Sequence, residues 1–314
     1  MRRVLFVLLC CLGLGARAEF PDRPIRIIVP FAAGGGADAT ARILAEPISR
    51  ALKQPIVVEN KPGGDSTIGS LLVAKAPPDG YTLLFGTNTG LSGAPFMHKD
   101  IGYDPLKDFT PVSAVGYFAF FIVVHPDVPA RTLREFVDFV RANPNTVHYA
   151  SGNSTGIIGS SQIALAEKLQ MGHVPYKGEN AALPDLLANR VQMLFATGFI
   201  VPHVREGKVR ALAALLDARS AALPDVPTVE EAGFGDLKIR GWAGIFGPAG
   251  MPPEVTARLS KEFNAALASK AVQDQLALQG FIGKGSTPAE LGAATRVQLE
   301  QWGNAARAAG IKPD

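Results

Sequence analysis

Cysteine is nearly absent from this chain of 314 residues, in which it occurs only at Cys10 and Cys11. From residue 12 onward the chain can therefore form no disulfide, no thiolate-based zinc site and no cysteine nucleophile. Its five histidines show no i, i+4 spacing on one helix, the pattern that would favour a metal site. We expect neither a metal nor a cofactor.

A hydrophobic run long enough to cross a membrane is also missing. The apolar run Val4–Leu14 has about 11 residues, whereas a membrane helix needs about 20. It follows the basic pair Arg2-Arg3 and precedes Ala16-Arg17-Ala18, an order that is typical of a secretory signal peptide and its cleavage site. We therefore expect residues 1–18 to be removed and the rest to be an exported, soluble protein.

Neither sign of charge predominates. The whole chain has 31 Lys and Arg side chains and 28 Asp and Glu side chains. Removal of residues 1–18 takes away three basic residues and no acidic one, so the remaining 296 residues have 28 basic and 28 acidic side chains. Without a basic surplus there is no electrostatic case for a nucleic acid or an anionic membrane as a partner. The length and the hydrophobic content of 47% suffice for two ordinary domains.

The most informative stretch is Pro30–Asp38, which contains the three glycines Gly34 to Gly36. Ile25–Val29 before it is rich in β-branched residues, and Ala37–Leu52 after the glycines has apolar residues at helical spacing. Ligands bind at the carboxyl ends of strands in such α/β units. A turn without Cβ atoms lets the N–H groups of the helix start approach an anion. A tight turn without a ligand is the alternative.

Strand-like and helix-like segments alternate along the rest of the chain. The order of strand, small polar turn and helix recurs at Val147–Leu169, and a polar loop, Thr87–Gly90, follows another strand. Pro47 should kink the first helix or end it early. A helix with Glu230 and Glu231 in its first turn should follow the loop at 224–228. The alternation predicts an α/β protein with mostly parallel sheets.

A second interpretation comes from Gly152-Asn153-Ser154-Thr155-Gly156, a G-x-S-x-G sequence between a strand and a helix. This is the setting of the nucleophile elbow of serine hydrolases, and Asp185 and His203 follow in the order that a catalytic triad needs. However, no histidine follows His203, and an H-G-G oxyanion motif is missing. We therefore favour a loop that presents N–H and hydroxyl donors to an anion, with no catalytic residue. The secreted hydrolase stays as the alternative.

Six motifs stand in order along the chain, and together they are specific. They are Phe31-Ala-Ala-Gly-Gly-Gly-Ala-Asp38, Val58-Glu-Asn-Lys-Pro-Gly-Gly64, Pro78-Asp-Gly-Tyr-Thr-Leu83, His173-Val-Pro-Tyr-Lys-Gly178, Leu223-Pro-Asp-Val-Pro-Thr228 and Ala309-Gly-Ile-Lys-Pro313. With these motifs the chain resembles the tripartite tricarboxylate transporter receptors, also called the Bug family of periplasmic solute-binding proteins. The resemblance covers essentially the whole chain after residue 18.

The resemblance implies a bilobal periplasmic-binding-protein fold, type II-like, in which two α/β domains enclose a ligand in the cleft between them. One lobe would hold residues 19–119 and 240–314, and the other residues 120–239. The ligand would be a small organic carboxylate, held largely by backbone N–H groups and ordered water. The partner would be a set of membrane transporter subunits or a sensor protein. We expect a monomer without catalytic activity.

By motif, the resemblance places eighteen ligand-binding residues on the two lobes. They are Phe31, Gly34, Gly35, Gly36, Ala37, Asp38, Asn88 and Thr89 on the first lobe, and Asn153, Ser154, Thr155, Gly156, Ile158, Tyr176, Lys177, Gly178, Thr197 and Phe199 on the second. Two of them have structural alternatives. The Asp38 carboxylate could satisfy N–H groups at its own helix start, and Lys177 could be solvated.

Departures from the family pattern bear on the ligand. Ile158 stands where a histidine is common, and Ala196 and Thr197 lie where an aspartate is usual. Together with Phe199, the lost polar groups favour a ligand that has one main carboxylate and an apolar or aromatic body, because buried charges need partners. A dicarboxylate whose second carboxylate is bridged by water is the alternative.

Overall fold

The computed structural model describes residues 20–237 and 239–313. The expected signal peptide therefore lies outside the described residues. Within those ranges, no helix is both long enough and apolar enough to span a membrane.

Two separate β-sheets form the centre of the molecule. Their strands, numbered in chain order, are β1 (Ile25–Val29), β2 (Ile56–Asn60), β3 (Thr82–Thr87), β4 (Phe109–Phe118), β5 (Phe121–Val124), β6 (His148–Ser151), β7 (Gly172–Pro175), β8 (Met193–Ala196), β9 (Arg210–Ala214), β10 (Gly241–Pro248) and β11 (Phe281–Gly283). The first sheet has the spatial order β11-β4-β10-β3-β1-β2, and the second has the order β7-β6-β8-β5-β9. The chain leaves the first sheet after β4 and returns to it at β10.

Helices pack on these sheets throughout the described ranges. They are α1 (Gly36–Leu52), α2 (Thr67–Ala74), α3 (Ala94–Met97), α4 (Leu133–Ala142), α5 (Ser154–Ala166), α6 (Glu179–Leu187), α7 (Val201–Arg205), α8 (Pro253–Ala268), α9 (Lys270–Leu278) and α10 (Pro288–Ala308). A π-helical turn at Thr89–Gly93 and a 3₁₀ turn at Gly198–Ile200 complete the regular structure. Strands β3, β5 and β8 are buried along their whole length, as expected for strands covered on both faces.

The prediction of mostly parallel sheets was wrong, because both sheets are mixed. Strand β1 is parallel to β2 and β3, and β6 is parallel to β7 and β8. Strands β5 and β10, however, run antiparallel to both of their neighbours. The chain reaches each of these two strands directly from the other sheet. The register places Phe121 beside Ala196, the last residue of β8, and Ala243 beside Thr87, the last residue of β3. A strand that enters at the carboxyl ends of the parallel strands must run back against them.

Helix α1 runs to Leu52 with Pro47 inside it, so the early end considered from the sequence does not occur. Proline removes the backbone N–H that would bond to the carbonyl group of Ile43. The helix continues because its apolar face is anchored: Leu44 and Ile48 are fully buried against the first sheet. The packing of this face outweighs one lost hydrogen bond.

Two other local predictions were also wrong. No helix follows Thr228, although its side chain and that of Glu231 make the reciprocal bonds of a helix start. Gly233, with φ of 84°, ends the turn at once. The polar segment predicted as a loop after β3 is instead the start of the buried π-helical turn, in which Leu91 packs into the core. Buried segments need internal backbone partners, which a helical turn supplies.

The two sheets approach each other backbone to backbone at Gly198. This residue follows β8, and a Cβ atom placed on it would overlap the carbonyl group of Gln279, in the connection from α9 to β11. The next residue of that connection, Gly280, accepts a hydrogen bond of 2.7 Å from the N–H of Ala119. The connection therefore touches both the first crossing between the sheets and the end of β8.

Replacing Gly198 by alanine should destabilise the protein by about 1–3 kcal/mol, because backbone has to move to admit the Cβ atom. The melting temperature should fall by several degrees. Gly235→Ala is the matched control, since its Cβ atom would lie 3.7 Å from the nearest side-chain atom. Urea denaturation of the two variants measures the difference. Equal stabilities would show that the contact at Gly198 is not tight.

Candidate functional site

A cavity lies between the facing edges of the two sheets. Its wall comes from β3, α1 and the first crossing on one side, and from the starts of α5 and α6 and the end of β8 on the other. The lining residues are Phe31, Ala32, Gly35, Gly36, Ala37, Thr87, Asn88, Thr89, Phe118, Phe120, Gly152, Asn153, Lys177, Gly178, Glu179, Asn180, Ala181 and Thr197. The cavity therefore collects the carboxyl ends of strands from both sheets, the position at which α/β folds bind ligands.

Three helices point their N-termini at this cavity. Helix α1 contributes Gly35 to Ala37, α5 contributes its cap residue Asn153, and α6 contributes Gly178 to Ala181. The first N–H groups of a helix have no partner within the helix and carry a partial positive charge. Convergence of three such ends makes the cavity suitable for an anion.

Asp38 organises the glycine turn rather than the cavity wall. Its nearly buried carboxylate accepts hydrogen bonds from the N–H of Gly34 at 2.9 Å and from the side chains of Arg42 and Asn60, both at 3.0 Å. Burial alone would raise the pKa of Asp38, but these three donors and the Arg42 charge hold it below its usual value. The N–H of Gly34 is thus used within the protein. Gly34 is also the turn residue that needs glycine, because its φ is 82°.

Asn88 joins the two sides of the cavity. Its Nδ2 donates to Oγ1 of Thr155 at 3.0 Å, and its Oδ1 accepts from the N–H of Trp242 at 3.1 Å. Beside it, Oγ of Ser154 donates to Oγ1 of Thr89 at 3.3 Å. These bonds connect the end of β3 to the start of α5. The structure is therefore a closed arrangement, in which the loops of both sheets are in contact.

Among the residues that the structure describes, no triad surrounds the serine of the G-x-S-x-G sequence. Ser154 is fully buried, and its hydroxyl group bonds to Thr89 rather than to a histidine. Asp185, the candidate acid, accepts from Tyr176 at 2.6 Å and from Arg190 at 2.8 Å. The geometry of this segment is that of a helix start, where the side chain of Asn153 caps the N–H of Gly156 at 3.0 Å.

The structure brings ten of the eighteen motif-derived residues to the cavity wall. They are Phe31, Gly35, Gly36, Ala37, Asn88, Thr89, Asn153, Lys177, Gly178 and Thr197. The other eight lie close by but outside the wall: Gly34, Asp38, Ser154, Thr155, Gly156, Ile158, Tyr176 and Phe199. Ile158 is fully buried in the hydrophobic core, and Phe199 packs against a second core cluster. The apolar surface of the cavity comes instead from Phe31, Phe118 and Phe120.

Eight lining residues were missed by the motif comparison. They are Ala32, Thr87, Phe118, Phe120, Gly152, Glu179, Asn180 and Ala181. Four of them, Gly152 and residues 179–181, belong to the starts of α5 and α6, where the chains approach so closely that a Cβ atom on Gly152 would overlap the N–H of Glu179. A signal was present for Glu179, because it is a charged residue directly after the glycine that ends the turn following β7.

Glu179 is the acidic group of the cavity. One of its oxygens, Oε2, accepts from the N–H and the hydroxyl group of Thr197 at 2.7 and 2.8 Å. The other, Oε1, accepts from Nδ2 of Asn153. Burial raises the pKa of Glu179 to about 7, although the bonds from Thr197 and Asn153 oppose the rise. None of the salt bridges found among the described residues involves this carboxyl group.

The raised pKa predicts how stability depends on pH. Between about pH 4.5 and pH 7 the folded protein binds the Glu179 proton more tightly than the unfolded chain does. The free energy of unfolding should therefore fall as the pH rises through this window, by up to about 3 kcal/mol from this group. In Glu179→Gln this pH-dependent part disappears, so the stability of the wild type relative to the variant should decline from pH 5 to pH 8.

Urea denaturation at four pH values measures that relative stability. Asp185→Asn is the control, because its lowered pKa places its titration below this window and its effect should be constant from pH 5 to pH 8. The glutamine amide meets N–H donors from both Asn153 and Thr197, so a constant cost of the variant is expected as well. A difference between wild type and Glu179→Gln that does not change with pH would contradict the prediction.

Comparison with known proteins agrees with the motifs. A family model described as tripartite tricarboxylate transporter family receptor matches residues 40–303. Protein BugT of Bordetella pertussis is 33% identical over 301 residues, which are 93% of this chain and 91% of BugT.

Solved structures show the same fold. An R. palustris protein with adipate superposes with a TM-score of 0.91 at 28% identity, covering 94% of this chain and 100% of the other. MatC from Rhodopseudomonas palustris with bound malate superposes with a TM-score of 0.85 at 29% identity, and the match covers 91% of this chain and 99% of MatC. These matches confirm the bilobal α/β fold expected from the motifs, and the chain belongs to the tripartite tricarboxylate transporter receptor family.

Proposed function

We propose that this protein is a periplasmic receptor that captures a small organic carboxylate between its two sheets and delivers it to the membrane subunits of a tripartite tricarboxylate transporter. The observation that carries the proposal is the convergence of three helix N-termini on one cavity between the sheets. Membership of the receptor family supports it. The two ligand-bound neighbours hold adipate and malate, which are small dicarboxylates.

The energetics fit such a ligand. A hydrogen bond to a charged group contributes about 1.5–3 kcal/mol, so three or four backbone N–H bonds could support a micromolar complex of about −8 kcal/mol. The loss of translational and rotational freedom offsets several kcal/mol of this. Burial of methylene groups against Phe31, Phe118 and Phe120 adds about 25 cal/mol for each Å² removed from water. The ligand therefore needs a carboxylate for the helix N-termini and a carbon chain that packs along the aromatic wall.

In this proposal two lobes close on the ligand. One holds residues 19–119 and 240–314, and the other holds residues 120–239. The protein acts as a monomer and has no catalytic activity. Supporting this division, strands β1–β4, β10 and β11 pair in one sheet, whereas β5–β9 pair in the other. The chain passes between them near residues 119 and 240, which are the natural hinge points. Closure would bring the N-terminus of α1 onto the starts of α5 and α6.

Processing is part of the proposal. Export requires removal of residues 1–18, so the mature chain should begin at Glu19 and contain no cysteine. Intact-mass measurement on protein recovered from the periplasm checks this. A mass that includes residues 1–18, or a lipid attached to Cys10 or Cys11, would contradict it.

Closure can be tested with adipate and malate as probes. A probe at about a thousand times its Kd should raise the stability by roughly 4 kcal/mol and the melting temperature by several degrees. Small-angle scattering should show a smaller radius of gyration with the probe than without it. A melting shift with an unchanged radius would show binding without closure.

Gly36→Val tests whether α1 closes onto Thr197, and Gly35→Ala is its control. A Cβ atom on Gly36 would lie 2.9 Å from Oγ1 of Thr197 across the cavity, whereas one on Gly35 has only ordinary contacts of 3.6 Å or more. Gly36→Val should keep a native circular dichroism spectrum but lose the probe-induced compaction and at least tenfold in affinity. Gly35→Ala should stay within about threefold of the wild type. Normal compaction in Gly36→Val would show that α1 does not close onto Thr197.

A further inference from the structure

The cavity of this receptor contains a carboxylate of its own, which a site for simple carboxylates does not need. Among its eighteen lining residues only Lys177 and Glu179 carry a charge. Lys177 is exposed and also lines the neighbouring groove that contains Pro62 to Ser66. Neither side chain takes part in the ion pairs found among the described residues.

The carboxyl group of Glu179 acts as an acceptor at both of its oxygens. The orientation of the Asn153 amide is set by its Oδ1, which accepts from the N–H of Gly156, so its Nδ2 must donate to Glu179. The N–H of Thr197 donates to the other oxygen. Each carboxylate oxygen therefore receives an N–H group, which can only donate. Oε1 has a further lone pair available beyond its bond to Asn153.

The cavity thus has two ends of opposite character. At one end, the first N–H groups of α1 favour a negative group. At the other end stands Glu179, a half-buried carboxylate that makes no ion pair among the described residues, and a desolvated charge is costly unless it is paired. Thr197 lies between the two, because its side chain is next to Gly36 and donates a hydrogen bond to Glu179. The aromatic side chains Phe118 and Phe120 form the wall beside them.

We propose that the ligand is an amino carboxylate, whose carboxylate binds at the start of α1 and whose ammonium group pairs with Glu179. The inference rests on the carboxylate receptor proposed above and narrows its ligand class. An ammonium group supplies the cation that the carboxylate lacks, and it donates to the lone pair that remains on Oε1. Burial raises the pKa of Glu179, which agrees with a negative charge that the protein leaves uncompensated until a ligand binds.

Matched pairs of probes test this directly. Adipate and 6-aminohexanoate have the same six-carbon chain and differ in one end group, and malate and aspartate differ only in hydroxyl against ammonium. Isothermal titration at pH 7.5 should show at least tenfold tighter binding of the amino member in one pair or both. In Glu179→Gln that preference should fall by tenfold or more, through weaker binding of the amino member.

Two variants guard against a purely structural effect. Glu179→Asp keeps the charge and should retain the preference, even at lower affinity. Asp185→Asn removes the same charge from the same helix outside the cavity and should leave the preference unchanged. Circular dichroism and melting curves establish that each variant is folded before it is titrated.

The outcomes separate the two proposals. If the wild type binds adipate and malate each at least as tightly as its amino partner, the amino-carboxylate inference fails and the carboxylate receptor stands. If that binding weakens as the pH rises, Glu179 acts as a proton donor to a second carboxylate, which also overturns the inference. An amino preference that persists in Glu179→Gln shows that another group selects the ammonium. Binding of none of the four probes contradicts both the receptor function for this class and the inference.

Discussion

Close approach to the backbone at glycine residues, where no Cβ atom intervenes, is the constraint on which this site depends. A helix N-terminus can offer its N–H groups to a ligand only if the ligand reaches the backbone, and glycine makes this approach possible. Gly36 lies against Thr197, Gly152 against the N–H of Glu179, and Gly93 against Ser154, where a Cβ atom would lie 2.6 Å from the serine Cβ. The contacts at Gly36 and Gly93 join loops of the two sheets, whereas the contact at Gly152 joins two loops of the second sheet. Small residues therefore set how closely the backbone on the two sides of the cavity can approach.

Two carboxylates show how the protein separates structure from binding. Asp38 and Glu179 each sit in the first turn of a helix, and each accepts three hydrogen bonds. Burial raises the pKa of Glu179, and its uncharged donors oppose this rise only in part. At Asp38 the donors include the Arg42 guanidinium, and together they outweigh burial and lower the pKa. The charge of Asp38 is compensated by Arg42, whereas that of Glu179 has no ion-pair partner among the described residues.

The sequence predicted the order of strands and helices well and the pairing of the strands poorly. Ile25–Val29 has the predicted ends, since its β-branched composition is a local signal. The antiparallel insertion of β5 and β10 depends on where the chain crosses between the sheets, which no local pattern records. Much of the cavity wall followed from motifs, because glycine turns and helix starts are visible in sequence. Glu179 was missed because its importance arises from contacts with Asn153 and Thr197, which are distant in the chain.

Convergence of helix ends carries a cost that Glu179 helps to offset. Three partly positive N-termini around one cavity repel each other, and the repulsion grows as the lobes close and water leaves. Glu179 stands in the first turn of α6 and accepts from the cap residue of α5, so a negative charge there lessens the repulsion between these two helix ends. A helix end stabilises a carboxylate by only about 0.3–1 kcal/mol, so it does not replace a cation. The end of α1 has a carboxylate of its own in its first turn, Asp38, but this group is already paired with Arg42. A ligand carboxylate at the other N–H groups of α1, as proposed above, would lessen the repulsion between the helix ends further.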